Sequence, residues 1–580
     1  MSFDRMTFSI CAAAYFSFFK QAPFEPVKIF TFFLIPRESL TMSEDKILTK
    51  TYEVSRRRIL ALSTTGGYTH AAPVLDICRV LAERGHTVEF ATHDGQQTWI
   101  QNPYYSFVKN VHLLGPGPTP EQYRDHWTRM VSLRVEDALS SWMMWKSKYL
   151  WDSFWPATYR QLKRLCSDPE TRPDFIIADF FDETVARDMS LECDIAIAIV
   201  WPQMPFLLAP ATYIPGQPGF QIDVCLTSEH VSLWSRLRNE IAIVWAAPQF
   251  LMWMRWFTKL RRREGARCPV LPGGDRPHHL VLVNSFFGLE APKDLPPLMA
   301  LIGPVLTEGY PPLDKQHIRF LEAHKQVVYV GLGTNVVLPE TSLHKLLQGL
   351  ILALDRGHID GVIWALNQTA RKELDLTHTV SRLNGESTTL GELLDNAMPE
   401  FLTPEFAPQR AILNHKHTRL YMTHGGSSSA NEATYHGVPV LVLGFMFDQL
   451  ANGVRLEEAG CGLQLNKINF TADEVAARIS FLVNSGPDSS IARNVERMRR
   501  ISTVAARRKR LAADLVEETL FDHELRGSRP MHLQTADMRM PWWKARNLDL
   551  VLFVFATAVG VPTVAIFGIR SFLGGNISFT

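Results

Sequence analysis

The chain has 580 residues, of which 46% are hydrophobic and 21% charged, and a formal net charge of +1. Its length points to two or three domains rather than one core, and its composition to a globular rather than a disordered chain. The near-neutral balance argues against a broad nucleic-acid footprint. Seven scattered cysteines (11, 78, 166, 193, 225, 268 and 461), with no CxxC pair, argue against a disulfide framework and a zinc site.

Residues 1–50 read as an N-terminal extension or a leader. Residues 7–19 (TFSICAAAYFSFF) have the length of a signal-peptide core, but only Asp4 and Arg5 precede them and no small-x-small cleavage site follows. Met42 opens a second plausible start, so signal peptide and plain extension both stand.

Residues 51–300 read as a first Rossmann-like domain. Residues 59–62 predict a short buried strand, and residues 63–68 a Gly-rich turn. Val74, Ile77, Cys78 and Leu81 fall at i, i+3, i+4 and i+7 on one helix face, which Gly85 ends before VEFAT returns to the sheet. This is a βαβ unit opening a doubly wound sheet. DFIIA (174–178) and IAIAIV (195–200) are further buried strands. Residues 230–263 are unusually aromatic and basic. They suit core-packing helices, and equally a greasy acceptor pocket or a surface lying on a membrane.

A second βα series, residues 301–520, opens with IGPVL leading into a Pro-rich link (YPPLDK). VVYVGLGTN (327–335) is a strand entering a Gly turn, where Gly333 and Thr334 are candidate donor contacts. GVIWAL, RLYM and VPVLVL are further strands. TADE (471–474) predicts a capping box opening a helix that runs to Val483. Residues 521–548 follow as C-terminal helices. Residues 549–570 predict a membrane-spanning helix, built on the uncharged apolar run 550–569 behind Trp542, Trp543, Lys544 and Arg546. Pro562 is tolerable within such a span.

The chemistry gathers in THGGSSSANEATYHGVPVL (423–441). A strand hands over to a helix here, expected to begin after Ser429, and the first N–H groups of a helix are unpaired at its positive end. His424, Gly426, Ser427, Ser428 and Ser429 are candidates to hold a diphosphate. Glu432 faces a ribose, and Phe406 and Gln409 offer a ring to stack on a base and an amide to bond its edge. Asp448 and Gln449, expected at the end of the next strand, point into the same crevice as sugar-hydroxyl ligands.

This order of residues resembles the nucleotide-sugar signature of the family 1 UDP-glycosyltransferases. Phe406, Pro408, Gln409, His424, Gly426, Ser429, Glu432, Gly437, Val438, Pro439, Asp448 and Gln449 keep its spacing, and the HGGS form is closer to the animal branch. Departures are Phe406 for Trp, Gly425 for Cys, Ser427 for Trp, Ser428 for Asn and Gly444 for Pro. VNSFFGLE (283–290), IGPVL (302–306) and residues 529–553 extend the likeness over most of the chain. The resemblance implies a GT-B fold, two Rossmann-like domains facing across a cleft, with C-terminal helices (521–548) returning to the first domain and a C-terminal transmembrane helix. It implies no metal and no cofactor, the UDP-sugar being a co-substrate. No D-x-D triad, the manganese handle of the other major glycosyltransferase fold, occurs in the sequence.

The resemblance also implies a catalytic base in the first βα loop, which is His70, and a carboxylate partner after a later strand, which is Asp179, with Asp182 as the alternative. Taken alone, His70 and Asp179 also suit helix capping. His86, His415 and His436 read as structural. The expected function is inverting transfer of a hexose, glucose first, from a UDP-sugar to a hydroxyl of a small lipophilic acceptor such as a secondary metabolite. Two rival readings are a sterol or glycolipid glucosyltransferase and a non-catalytic nucleotide-sugar-binding membrane subunit. The expected partners are the UDP-sugar, the acceptor and membrane lipid, with no nucleic acid. The expected location is a single-pass membrane protein of the endoplasmic reticulum. The side of the body stays open, because Arg539, Lys544 and Arg546 against Arg570 favour a cytosolic body whereas the animal branch has a lumenal one.

Overall fold

The computed structural model describes residues 55–133, 142–205, 208–215, 225–270, 276–333, 338–366, 371, 374–395, 397–527 and 530–574. The leader reading of residues 1–50 and the assignment of Thr334 lie outside them.

Two parallel sheets organise the chain. The first takes the strands β1 (Arg58–Leu62), β2 (Thr87–Thr92), β3 (Val108–Leu113), β4 (Phe175–Asp179), β5 (Ala196–Trp201), β6 (Leu280–Val283) and β7 (Met299–Leu301), in the order β3-β2-β1-β4-β5-β6-β7. Central strands such as AIAIVW, and RILAL beyond Arg58, are apolar and buried because helices cover both faces of the sheet. The edge strand β3, VKNVHL, is largely exposed and carries Lys109, which discourages a further strand from pairing there. The second sheet takes β8 (Val327–Gly331), β9 (Gly361–Trp364), β12 (Phe401–Leu402), β13 (Thr418–Thr423), β14 (Val440–Val442) and β15 (Gly462–Gln464), in the order β12-β9-β8-β13-β14-β15. A small hairpin, β10 (Thr379–Ser381) with β11 (Ser387–Thr389), stands apart from both.

Side chains lock the halves together. Arg455 of the second half and Glu290 of the first form a buried ion pair at 3.0 Å, and Glu290 also accepts the Met204 N–H at 3.1 Å. Asn431 donates to the Asn284 carbonyl at 2.9 Å. The helix Lys509–Arg526 then crosses back, ahead of the expected residue 521, and buries Ala512, Ala513, Val516 and Leu520 in the core of the first sheet.

The helix Ala472–Val483 opens where TADE predicts. Thr471 accepts the Glu474 N–H, but the Glu474 carboxylate accepts from Arg478 one turn on. The six described cysteines are free thiols. The last helix, Leu548–Gly574, carries between Leu548 and Phe572 an 18-residue stretch of mean hydropathy 2.4, none of it buried.

Candidate active site

Both candidate centres stand at the carboxyl ends of parallel strands, where open α/β sheets leave crevices for ligands. In the first, β1 ends at Leu62 and the chain turns through Gly66 and Gly67 into the helix Tyr68–Glu83. Gly66 has φ +89°, and a Cβ there would lie 2.3 Å from His70 Cδ2. The turn therefore needs glycine both for its backbone and for the imidazole lying against it.

His70 Nδ1 lies 3.0 Å from Asp179 Oδ1, at the end of β4, and the other Asp179 oxygen accepts the Phe181 N–H at 3.0 Å. A carboxylate only accepts, so Nδ1 carries the proton and Nε2 presents its lone pair. Burial alone would lower the His70 pKa. The charge and hydrogen bond of Asp179, with the charges of Asp448 and Asp182, outweigh it and leave the value raised. Asp182 is not the partner. Its carboxylate accepts from the Thr64 N–H at 2.9 Å and the Thr64 hydroxyl at 2.5 Å, which fixes the loop leading to His70. Burial and neighbouring Asp179 carry it up to about 7. Phe180 and Phe181 pack 5.5 and 5.1 Å from the imidazole, and Phe181 is half-open to solvent.

In the second centre, β13 runs into His424, Gly425 and Gly426. The helix Ser427–His436 begins at Ser427, three residues earlier than the sequence suggests. Serine competes with helical backbone bonds and so tends to mark a boundary, yet here three serines form the first turn. Ala430 makes the first intrahelical bond, to the Gly426 carbonyl at 3.0 Å. The N–H groups of Ser427, Ser428 and Ser429 therefore fall in the unpaired first turn. Gly425, at φ +81°, admits no Cβ, which would meet the Gln449 carbonyl at 2.7 Å. The His424 ring lies between Gly426 and Gly333, where added Cβ atoms would come within 2.6 and 3.1 Å of it. Burial lowers its pKa to about 4, so it is neutral at pH 7.

A hydrogen-bonded chain runs beneath this seat. The Ser429 hydroxyl lies 3.1 Å from the Tyr421 hydroxyl, which donates to Gln409 Oε1 at 2.9 Å. Tyr329 donates to the same oxygen at 3.2 Å, and Gln409 Nε2 donates to Glu432 at 2.7 Å. Sequence reasoning missed both tyrosines. Their only signal was inward placement on adjacent strands ending below the glycine turn. With both ends of its amide engaged, Gln409 is held toward Glu432 rather than toward a base edge. Ser429 likewise turns its hydroxyl inward and leaves only its N–H to a ligand. Phe406 is 69% exposed and free to stack.

Asp448 and Gln449 lie in the first turn of the helix Phe447–Glu458, beyond the strand end expected for them. Gln449 is buried and its Oε1 accepts the Phe445 N–H at 3.0 Å, so it shapes the loop. Asp448 accepts a long bond from Ser427 at 3.4 Å, and burial raises its pKa. Of the predicted residues, His70 and Asp179 meet directly, Gln409 and Glu432 meet directly, and Ser427 meets Asp448. Among the described residues one group, Asp188, Glu192 and Cys268, brings metal-type donors together. Arg261 and Lys163 each bond one oxygen of its two carboxylates, so the negative charge of the group is already offset by cations. His86, read as structural, bonds Glu517 of the returning helix at 3.0 Å.

Comparison with known proteins bears on the family and the fold. The profile of the family described as "UDP-glucoronosyl and UDP-glucosyl transferase" matches residues 212–575. A UDP-glycosyltransferase of Talaromyces amestolkiae is 45% identical over 88% of this chain and 96% of its own. UDP-glycosyltransferase stmC of Aspergillus ustus is 44% identical over 87% of this chain and 96% of its own. The solved glycotransferase of kitacinnamycin has the same fold, with a TM-score of 0.55 at 19% identity over 80% of this chain and 98% of its own. The calicheamicin glycosyltransferase CalG4 aligns with a TM-score of 0.52 at 19% identity over the same shares. Two parallel Rossmann-like sheets, the GT-B arrangement, are thus common to these chains. The chain belongs to the UDP-glucuronosyl and UDP-glucosyl transferase family and is a UDP-glycosyltransferase.

Proposed function

We propose that the enzyme is an inverting hexosyltransferase that moves glucose from UDP-glucose to a hydroxyl of a small lipophilic acceptor of secondary metabolism. The observation that carries this reading is the 3.0 Å pair of His70 with Asp179, whose imidazole also senses the charge of Asp448. His70 Nε2 takes the acceptor proton while the acceptor oxygen forms its bond to the anomeric carbon. The bond from that carbon to the UDP oxygen breaks on the opposite face, so an α-linked donor gives a β-glycoside. Asp179 holds the ring and stabilises the imidazolium. UDP departs with its new charge against the N–H groups of Ser427, Ser428 and Ser429, and donors fixed in advance lower the barrier. Phe180 and Phe181 favour an apolar acceptor beside the base. Glu432 addresses the ribose hydroxyls, Phe406 stacks on the base, and Asp448 addresses the sugar.

The same reading makes the helix Leu548–Gly574 a single membrane anchor, supported by its length and by an 18-residue stretch of mean hydropathy 2.4 that is nowhere buried. The likeness to the animal enzymes suggests the endoplasmic reticulum.

The test is incubation with UDP-glucose, UDP-galactose, UDP-glucuronic acid and UDP-N-acetylglucosamine against phenols, terpenoid alcohols and sterols. Hexose addition by mass spectrometry, with the large anomeric coupling of a β-glycoside by NMR, is the expected outcome. A product carrying a retained α-linkage contradicts the inverting mechanism, and preferred use of another donor contradicts glucose. Preference for sterols selects the membrane-resident acceptor, which the exposed apolar helix described next would also suit.

A further inference from the structure

The helix Leu233–Arg263, 31 residues with Pro248 inside it, is apolar on opposite faces. Its inner face, through Asn239, Ala242, Ala246, Trp253 and Phe257, is buried against the first half. Those positions recur at the helical repeat, so the outer face is defined just as sharply. It presents Leu233 at 74%, Trp234 at 65%, Val244 at 66%, Trp245 at 57% and Leu251 at 49% exposure. A helix apolar all round belongs inside a core or a membrane, and a contiguous exposed stripe of this kind marks a surface that is covered in use.

Two observations choose the cover. Beyond Met252 the same outer face turns basic, with Arg255, Lys259, Arg262 and Arg263 exposed and only Glu240 acidic along the whole helix. Large apolar side chains with tryptophans, continued by a basic end, are the composition of a helix lying in a lipid interface. Secondly, Arg276 bonds Thr535 at 2.9 Å and pairs with Asp537 at 2.7 Å. That ties the chain just after this helix to the segment just before Trp542, Trp543 and the final apolar helix.

We propose that the outer face of the helix Leu233–Arg263 lies on a phospholipid bilayer, with its apolar turns at the acyl boundary and its basic end among anionic headgroups. The proposal rests on reading the helix Leu548–Gly574 as a membrane anchor. Two attachments would hold the cleft at a fixed height over the bilayer, where a lipophilic acceptor is concentrated.

The test places the full-length protein in nanodiscs of phosphatidylcholine and phosphatidylserine containing a phosphatidylcholine with a diazirine in its acyl chain. Photolysis and peptide mapping then read lipid adducts. Adducts within residues 233–252 and within 548–572 are expected. Adducts within 548–572 alone overturn the proposal and leave the anchor standing. Adducts in neither segment overturn both. Val244→Glu with Leu251→Glu, both at exposed positions, should reduce labelling of 233–252 by roughly tenfold without changing 548–572, because charge is costly at the acyl boundary. Unchanged labelling in that variant, or a chain-to-chain cross-link through Lys259 in place of lipid adducts, assigns the face elsewhere and overturns the proposal.

Discussion

His70 and His424 occupy equivalent places in the two halves and are put to opposite use. Each stands where a parallel strand gives way, through glycines, to a helix, and each ring lies so close to a glycine that a methyl group would strike it. Burial presses both toward the neutral form. Beside His70 stand Asp179, Asp182 and Asp448, and their charges turn the balance, so its pKa is raised. No carboxylate offsets the burial of His424, and its pKa falls to about 4. The same local architecture thus yields a raised imidazole pKa in one half and a ring that is neutral at pH 7 in the other. The difference comes from neighbours far away in sequence.

Breaking the base should have the largest effect. His70→Ala is expected to slow turnover by about 10²–10⁴-fold, the usual contribution of a general base, while the affinity for UDP measured by calorimetry stays unchanged. Gly66→Ala attacks the seat rather than the ring. Its left-handed backbone costs roughly 1–2 kcal/mol with a side chain, and the clash displaces the imidazole. A turnover loss of roughly 10²-fold together with a lower melting temperature is expected, since small misplacements of a reacting group are costly.

On the donor side the effects are smaller. Tyr421→Phe removes the phenol that holds Gln409 toward Glu432, a neutral hydrogen bond worth about 0.5–1.5 kcal/mol. It should raise KM for the UDP-sugar by about 2- to 10-fold with little change in kcat, as steady-state kinetics would show. His424→Gln sharpens the contrast between the histidines through stability. The folded value near 4 lies below the unfolded 6.5, so the unfolded chain takes up the proton first as pH falls. The linked stability is present above pH 6.5 and is lost as pH falls toward 4. Thermal melts at pH 7 and pH 5 should show this decline in the wild type, and a decline shallower by on the order of 1 kcal/mol in His424→Gln.

The strands, the helix after TADE and the glycine turns were legible because each depends on local pattern and turn chemistry. The His70 and Asp179 candidates came from likeness, and spacing could not separate Asp179 from Asp182. That choice is made by Thr64, some 118 positions away, which occupies Asp182. The Ser427 start was read three residues late because serine is ambiguous between a cap and a first turn. Gln409 was assigned to a base edge because nothing in the sequence shows that two tyrosines from neighbouring strands converge on its amide. Gln449 was assigned to a sugar although its side chain closes its own loop. The helix Leu233–Arg263 announced apolar character but could not show which of its faces the core leaves bare.

The coupling of His70 to Asp179 is tested most directly by the pH dependence of kcat/KM in the wild type and in Asp179→Asn. Activity needs neutral His70, so the acid limb reports its protonation. Removing the carboxylate charge lowers the His70 pKa, and the limb is predicted to move to lower pH while the maximal rate falls. An acid limb at the same pH in both proteins would contradict the assignment of Asp179 as the group that sets the base.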